Sequence, residues 1–265
     1  MIHRCIYQVA VGSQSRLYDH CISSVEDYCL RMGFAHVLQK DPVLKIRPDS
    51  DKSGRSSEAV SRLGYLPIFE KENAFDQMQS TKIDEMAIID ADVYIRKSTK
   101  ENIFDQLSGH AFSAMIEDSG PITKEYVDKL IGYSRMQYKP LEREIKMSWL
   151  RGVAQFRNMG VMLFSRDIIP YLNKQDARGF LGRPEFQRFV NGEGAWKWST
   201  DQTLLNYWLL KENIETSDLS WRWNTLYTAI EPEKLKEAYA VHFFLKDKLP
   251  NRGENVEELM KAIGE

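Results

Sequence analysis

The chain has 265 residues, 43% of them hydrophobic, and a formal net charge of −2. That length suits one large α/β domain, or one domain with a small extension, and allows a full core. The near-balanced charge argues against bulk electrostatic binding of nucleic acid, though not against a local basic patch, and no apolar run is long enough to cross a bilayer.

Met1-Ile2-His3-Arg4 leads straight into a strand-like run and lacks the charged-then-apolar pattern of a signal peptide. Ile6–Val11 reads as a short buried strand, broken by Gly12 and Ser13. From Ser15 to Met32 the apolar residues Leu17, Cys21, Val25, Tyr28 and Met32 recur at helical spacing. Gly33 is a C-terminal stop, and Phe34–Leu38 a second strand, which makes a βαβ unit. Cys5, Cys21 and Cys29 have no zinc-like pairing and read as buried reduced thiols of a cytoplasmic protein.

Asp41 to Arg62 is polar, with Pro, Gly and several Ser, and reads as a loop or weakly structured insertion. Pro67–Met78 has helical spacing, and Met86–Ile89 is a compact apolar strand that ends in Asp90-Ala91-Asp92. Val93–Ile95 resumes apolar character. Ser98–Leu107 reads as a capped helix, Ala111–Ile116 as a strand and Lys124–Gln137 as a helix. Phe156–Phe164 is the next strand, Arg166–Lys174 and Pro184–Val190 are short helices, and Thr200–Lys211 is a longer one. Ala238–Leu245 is a late strand and Val256–Ile263 a closing helix. Strands alternating with helices predict a layered α/β domain with a mostly parallel sheet.

The chain has two Asp-x-Asp pairs. Asp49-Ser50-Asp51 lies in the polar loop and reads as solvated surface. Asp90-Ala91-Asp92 follows four apolar residues, as at the C-terminal end of a buried strand, where open α/β sheets bind ligands. Two carboxylates there are costly without a cation, and hard oxygen ligands suit Mg²⁺ or Mn²⁺, which in turn clamps a diphosphate. The alternative is a strand-to-turn transition in which one Asp caps the turn.

Five segments, in order, resemble the retaining glycosyltransferases of the GT-A fold, in particular family eight, the glycogenin and lipopolysaccharide galactosyltransferase group. They are Ile6–Val11 with its helix; Phe69-Glu70-Lys71; Ile88-Ile89-Asp90-Ala91-Asp92-Val93; Phe156–Phe164, with Asn158 and Gly160, followed by Thr200-Asp201-Gln202 and Leu205-Asn206; and Val241-His242-Phe243, then Lys246 and Lys248. Two departures stand out. The family's Gly after His-Phe and its Lys-Pro-Trp are replaced by Phe244-Leu245-Lys246-Asp247-Lys248-Leu249-Pro250, and Met159 stands where Ser or Ala is usual.

The resemblance implies one GT-A-like (Rossmann-like) domain over 1–265, with a nucleotide-binding half at about 1–95 and an acceptor half at about 96–265. It implies that Asp90, Asp92 and His242 hold a metal, Mn²⁺ in preference to Mg²⁺ because imidazole completes the set. Val9, Val11, Ser15, Lys71, Asp90, Ala91, Asp92, Lys246 and Lys248 would bind the donor, with Lys248 favoured over Lys246 at the leaving phosphate. Asn158, Asp201 and Gln202 would line the sugar pocket as the catalytic set, although Asp201 also suits a helix N-terminus. The implied reaction moves a hexose or pentose from a nucleoside-diphosphate sugar, with uracil the usual base, to an acceptor hydroxyl with retention. The implied partners are that donor and a glycan or other hydroxyl acceptor. A basic bias through Arg135, Lys139, Arg143, Lys146, Arg151, Arg157, Arg178, Arg183 and Arg188 leaves room for an acidic acceptor such as lipopolysaccharide or modified DNA, but reads first as a solvated charged face. Trp196, Trp198, Trp221 and Trp223 read first as core. Two alternatives remain: a sugar-phosphate nucleotidyltransferase, for which Gly12-Ser13-Gln14-Ser15-Arg16 is a poor phosphate loop, and a nucleotide- or glycan-binding protein of the same fold with little turnover.

Overall fold

The structure is a computed structural model that describes residues 2–12, 15–49, 63–198 and 200–265. Ser13, Gln14, Ser50, Asp51 and the rest of the polar loop to Arg62 lie outside the described residues, as does the side chain of Trp198.

The chain opens with β1 (Arg4–Val9), α1 (Arg16–Met32) and β2 (Ala35–Gln39). Leu17, Cys21, Val25 and Tyr28 of α1 turn inward, and Gly33 closes the helix in the left-handed conformation (φ 72°) that glycine adopts at least cost. A 3-10 turn at Pro67–Glu72 runs into α2 (Asn73–Ser80), then β3 (Glu85–Ile89) and β4 (Val93–Ile95). β5 (Phe112–Ile116) and α3 (Lys124–Gln137) follow, then a small hairpin of β6 (Trp149–Leu150) and β7 (Val153–Ala154), and the long β8 (Arg157–Ser165). The remainder comprises α4 (Ala177–Leu181), α5 (Gln187–Asn191), α6 (Asp201–Lys211), β9 (Thr216–Asp218), β10 (Thr225–Leu226), β11 (Ala240–His242) and α7 (Val256–Ile263).

The main sheet has the order β2-β1-β3-β8-β5-β9. β1 pairs parallel with β2 and β3, and β5 parallel with β9, while β8 runs antiparallel between β3 and β5. The sheet is therefore mostly parallel, as expected, with one reversed strand at its centre. A second, three-stranded sheet, β10-β11-β4, stands at its edge. One face of the main sheet packs under α2, α3 and α6 through Phe75, Phe164, Phe180 and Trp208. The other packs under α1 through Val25, Tyr28, Phe104 and Trp223. Leu17 and Cys21 of α1 meet Leu259 and Ile263 of α7 in a third cluster.

Most elements lie within two residues of their expected bounds, and the differences have physical reasons. Ser98–Leu107 forms only a 3-10 turn at Ile103–Leu107, where Asn102 caps by accepting from Phe104 N. The late strand is only Ala240–His242, because it pairs with just three residues of β4. Arg166–Leu172 is 3-10, with Pro170 inside it removing a donor. β6, β7, β9 and β10 are two or three residues each, too short to show a period. The three thiols are free and buried, and burial pushes the Cys5 thiol up to about 11. Trp223 is core, Trp196 donates its indole N–H to Gln137 O, and Trp221 lies over Gly120. No described helix is long and apolar enough to cross a membrane.

Phe75 is 2% exposed and touches the rings of Phe164, Phe180 and Trp208. Phe75→Ala is expected to cost about 3–5 kcal/mol, as a lower urea midpoint at an unchanged m-value.

Candidate active site

β3 ends at Ile89, and the chain turns through Asp90-Ala91-Asp92 into β4. The turn is stitched down by Asp90 N donating to Gly160 O (2.8 Å) and Val93 N to Asp90 O (3.1 Å). β4 pairs antiparallel with β11 in a register that sets Val93 opposite His242. This pairing delivers a histidine from 150 residues downstream to the acidic turn. One ligand atom from each of Asp90, Asp92 and His242 lies within 4.8 Å of the others.

The electrostatics of this trio suit a cation. Burial disfavours charge on all three groups. His242 Nε2 lies 3.2 Å from Asp92 Oδ1, and the pair outweighs burial: the carboxyl of Asp92 is held below its usual range and the imidazole of His242 above its own. Asp90 goes the other way, raised by burial despite Lys71. Two carboxylate oxygens on the partly exposed Asp90 and Asp92, with one nitrogen of the buried His242, fit a divalent ion that keeps free positions for further oxygens.

Lys71 is the second organising charge. Its Nζ lies 2.6 Å from Asp201 Oδ2, 3.0 Å from Asp90 Oδ1 and 3.2 Å from Met159 O. Burial opposes its charge, but Asp201 and then Asp90 outweigh burial and keep it protonated. Lys71 is delivered by its neighbour. Glu70 is fully buried and accepts from Val43 N (2.7 Å), Leu44 N (2.9 Å), Lys45 N (2.7 Å) and Gln39 Nε2 (2.8 Å). Phe69 is core, so the tripeptide Phe69-Glu70-Lys71 sends one side chain to the core, one to a loop anchor and one to the site. Glu72 beside them is also buried, with neither oxygen hydrogen-bonded to any described residue. Burial and then Asp201 push its carboxyl well above the usual carboxylate range.

Asp201 starts α6, whose cap Thr200 accepts from Gln202 N (3.3 Å). Gln202 Oε1 accepts from Met159 N (3.3 Å), and Asn206 bonds both Arg157 N and Arg157 O, docking the helix end on β8. Asp201 and Gln202 thus stand beside Lys71 and Asp90. Asn158 does not project freely towards them. Its Nδ2 donates to Glu117 Oε2 (2.8 Å), and its Oδ1 accepts from Gly160 N (2.8 Å) and Asn224 Nδ2 (2.8 Å). Asn224 Oδ1 in turn lies 2.9 Å from His242 Nδ1. A Cβ on Gly160 would stand 2.3 Å from His242 Cε1 and 2.6 Å from Nδ1, so glycine is needed for the ring to lie against β8.

Of the remaining donor-site candidates, Val9 and Val11 sit at the C-terminal end of β1, alongside the acidic turn. Ser15 Oγ instead donates to Glu254 Oε1 (2.9 Å) in the C-terminal loop. The two lysines differ sharply. Lys246 Nζ lies 3.5 Å from the centroid of the Tyr18 ring, half-buried, where its charge and that of Asp92 act on each other. Lys248 is exposed and lies 3.6 Å from Glu125. The geometry thus has Lys246 interacting electrostatically with Asp92 and Lys248 beside Glu125, whereas the sequence favours Lys248 at the leaving phosphate. Leu245 before it takes φ 58°, the left-handed region that favours the glycine this sequence lacks. Several of the basic residues are paired with carboxylates, and Arg135, Lys139 and Arg143 line one cavity. Arg188 pairs with Glu144, Arg157 with Asp218 and Lys139 with Glu142.

Asn224, Glu117 and Tyr18 carry no sequence signal that would have singled them out. Each is a common polar or aromatic residue whose role depends on partners in other elements: Asn158 and His242 for Asn224, Asn158 for Glu117, and Lys246 for Tyr18.

No protein-family model and no curated protein sequence matches the chain. Solved structures do. A glycosyltransferase involved in glycosylation of the major capsid of PBCV-1 matches over 96% of this chain and 99% of its own, at 14% identity and a TM-score of 0.58. The galactosyltransferase LgtC, solved with donor and acceptor sugar analogues, matches over 98% of this chain and 95% of its own, at 12% identity and a TM-score of 0.56. At such identities the likeness speaks to architecture alone, and that architecture, with its reversed strand β8 and its acidic turn after β3, is the GT-A glycosyltransferase fold.

Proposed function

We propose that the protein is a metal-dependent glycosyltransferase. It moves a sugar from a nucleoside-diphosphate sugar, a UDP-sugar, to a hydroxyl of a glycan or other acceptor, with retention of anomeric configuration. The observation that carries this reading is the convergence of Asp90, Asp92 and His242 at the C-terminal end of β3, in a fold whose solved examples include glycosyltransferases. When bound there, a divalent cation, Mn²⁺ in preference to Mg²⁺, supplies charge stabilisation to the diphosphate.

The chain's own residues divide the rest. Val9 and Val11 flank the position of the base at the end of β1, with Ser15 at the start of α1 beside them. The Ala91 backbone carries the turn that holds Asp90 and Asp92 apart. Lys246 leaves the Tyr18 ring to meet the β-phosphate, where a cation stabilises the oxygen that departs with the diphosphate. Lys248 serves at the rim. Lys71 neutralises Asp90 and Asp201 together, so that Asp201 and Gln202 present an acceptor and an amide to the sugar hydroxyls in fixed positions. Asn158 acts from behind, through the histidine. Asp201 is tied to Lys71 and Glu72 is sealed from the cleft, an arrangement that favours substitution on one face of the sugar over a covalent glycosyl-enzyme.

The test is release of nucleoside diphosphate from a panel of nucleotide sugars with Mn²⁺, Mg²⁺ or chelator. Metal-dependent release from one donor, lost in Asp92→Ala, is expected. Release of pyrophosphate instead would reassign the protein as a nucleotidyltransferase, and neither release nor Mn²⁺-dependent binding of any nucleotide sugar would leave only a binding role. Lys246→Ala is expected to lower kcat by about 10²–10³, and Lys248→Ala by less than about tenfold; the reverse order would return the phosphate contact to Lys248. Gly160→Ala, which drives a methyl into His242, is expected to weaken Mn²⁺ binding by about 10–100-fold, read by calorimetry.

A further inference from the structure

Behind His242 runs a line of side chains that the proposed reaction does not itself use. It passes from His242 Nδ1 to Asn224 Oδ1 (2.9 Å), from Asn224 Nδ2 to Asn158 Oδ1 (2.8 Å), from Asn158 Nδ2 to Glu117 Oε2 (2.8 Å), and from Tyr126 Oη to Glu117 Oε1 (2.5 Å). Asn224, Asn158, Glu117 and His242 are all buried. An amide can in principle present either end to a neighbour, and an imidazole can carry its hydrogen on either nitrogen. Here one backbone group removes that freedom. Gly160 N–H can only donate, and it lies 2.8 Å from the Asn158 amide. Asn158 must therefore turn its oxygen to Gly160 and its NH₂ to Glu117. The Asn224 group that meets the same oxygen must be its NH₂. Its carbonyl oxygen then faces His242, and only a ring with hydrogen on Nδ1 can bond it.

We propose that Asn224, oriented through Asn158 by the Gly160 N–H, is a positioning residue that keeps hydrogen on His242 Nδ1, so that Nε2, on the side of Asp90 and Asp92, is the nitrogen that ligates a cation. The proposal rests on the metal site described above. Nε2 already lies 3.2 Å from Asp92 Oδ1, on the side where the cation ligands converge. A metal-binding histidine needs its other ring nitrogen held by an acceptor; loss of that acceptor leaves the wrong tautomer accessible and the ring free to turn. The relay also ranks its own members. Asn224 is the direct contact. Tyr126 lies beyond the point at which Gly160 has set the polarity, so it contributes little to the histidine.

Two measurements test this on the full chain. The first needs no metal. Nitrogen-15 NMR of the histidine rings, with His242 assigned by its loss in His242→Gln, is expected to show hydrogen on Nδ1 throughout, and on Nε2 as well while the Asp92 carboxylate accepts from it in the metal-free protein. A bare Nδ1 overturns the proposal. The second is titration with Mn²⁺ alone, followed by the paramagnetic resonance of the free ion. Asn224→Ala is expected to bind about 10–100-fold more weakly than wild type, and Tyr126→Phe to stay within about threefold. Equal affinity in wild type and Asn224→Ala overturns the proposal, as does a Tyr126→Phe loss matching that of Asn224→Ala. Absence of Mn²⁺ binding in the wild type counts against the metal site itself, and the NMR result still decides the tautomer.

Discussion

The acidic turn at the end of β3 governs the rest of the structure. Two carboxylates at a half-buried strand end cannot both stay charged without positive charge close by. The fold supplies it from three directions. Lys71 comes from the 3-10 turn before α2, His242 from β11, and Lys246 from the loop after β11. Each source requires a supporting contact of its own. Glu70 anchors the segment that carries Lys71, the β4–β11 pairing sets the place of His242, and the Tyr18 ring holds Lys246.

The reversed strand β8 is the common wall of this arrangement. It lends Gly160 O to Asp90 N, Met159 O to Lys71 and Gly160 N to Asn158. Its one glycine lets the His242 ring approach. Side chains from β3, α6, β10 and β11 thus meet over a stretch of three residues. A strand buried on both faces is rigid enough to hold them within hydrogen-bonding tolerance, which loops seldom achieve. In the segment after His242, by contrast, Leu245, Asn251 and Arg252 hold left-handed conformations that side chains adopt at a cost.

Lys71 shows how a buried charge can organise a site without touching chemistry. Its ammonium sits between Asp90 at the end of β3 and Asp201 at the start of α6. Removing its charge would leave two buried carboxylates facing each other, so its worth lies in preventing repulsion as much as in attraction. Glu72 next to it meets the same crowding with its carboxyl pushed well above the usual carboxylate range.

The sequence by itself determined the order and type of the main elements, because the apolar periods of α1, α3 and α7 and the runs of β1, β3 and β8 are long enough to be unambiguous. It also determined that Asp90-Ala91-Asp92 ends a buried strand, which separates this pair from Asp49-Ser50-Asp51. Only the tertiary structure decided what surrounds the pair. That Lys246 faces Asp92 while Lys248 faces Glu125 depends on the backbone path of a loop, which no spacing rule encodes. That Asn158 serves His242 through Asn224 depends on three separate segments brought together at residues 158, 224 and 242. Periodicity records which way a residue faces within its own element; it carries no information about which distant side chain will stand opposite, and hydrogen bonds are made with those.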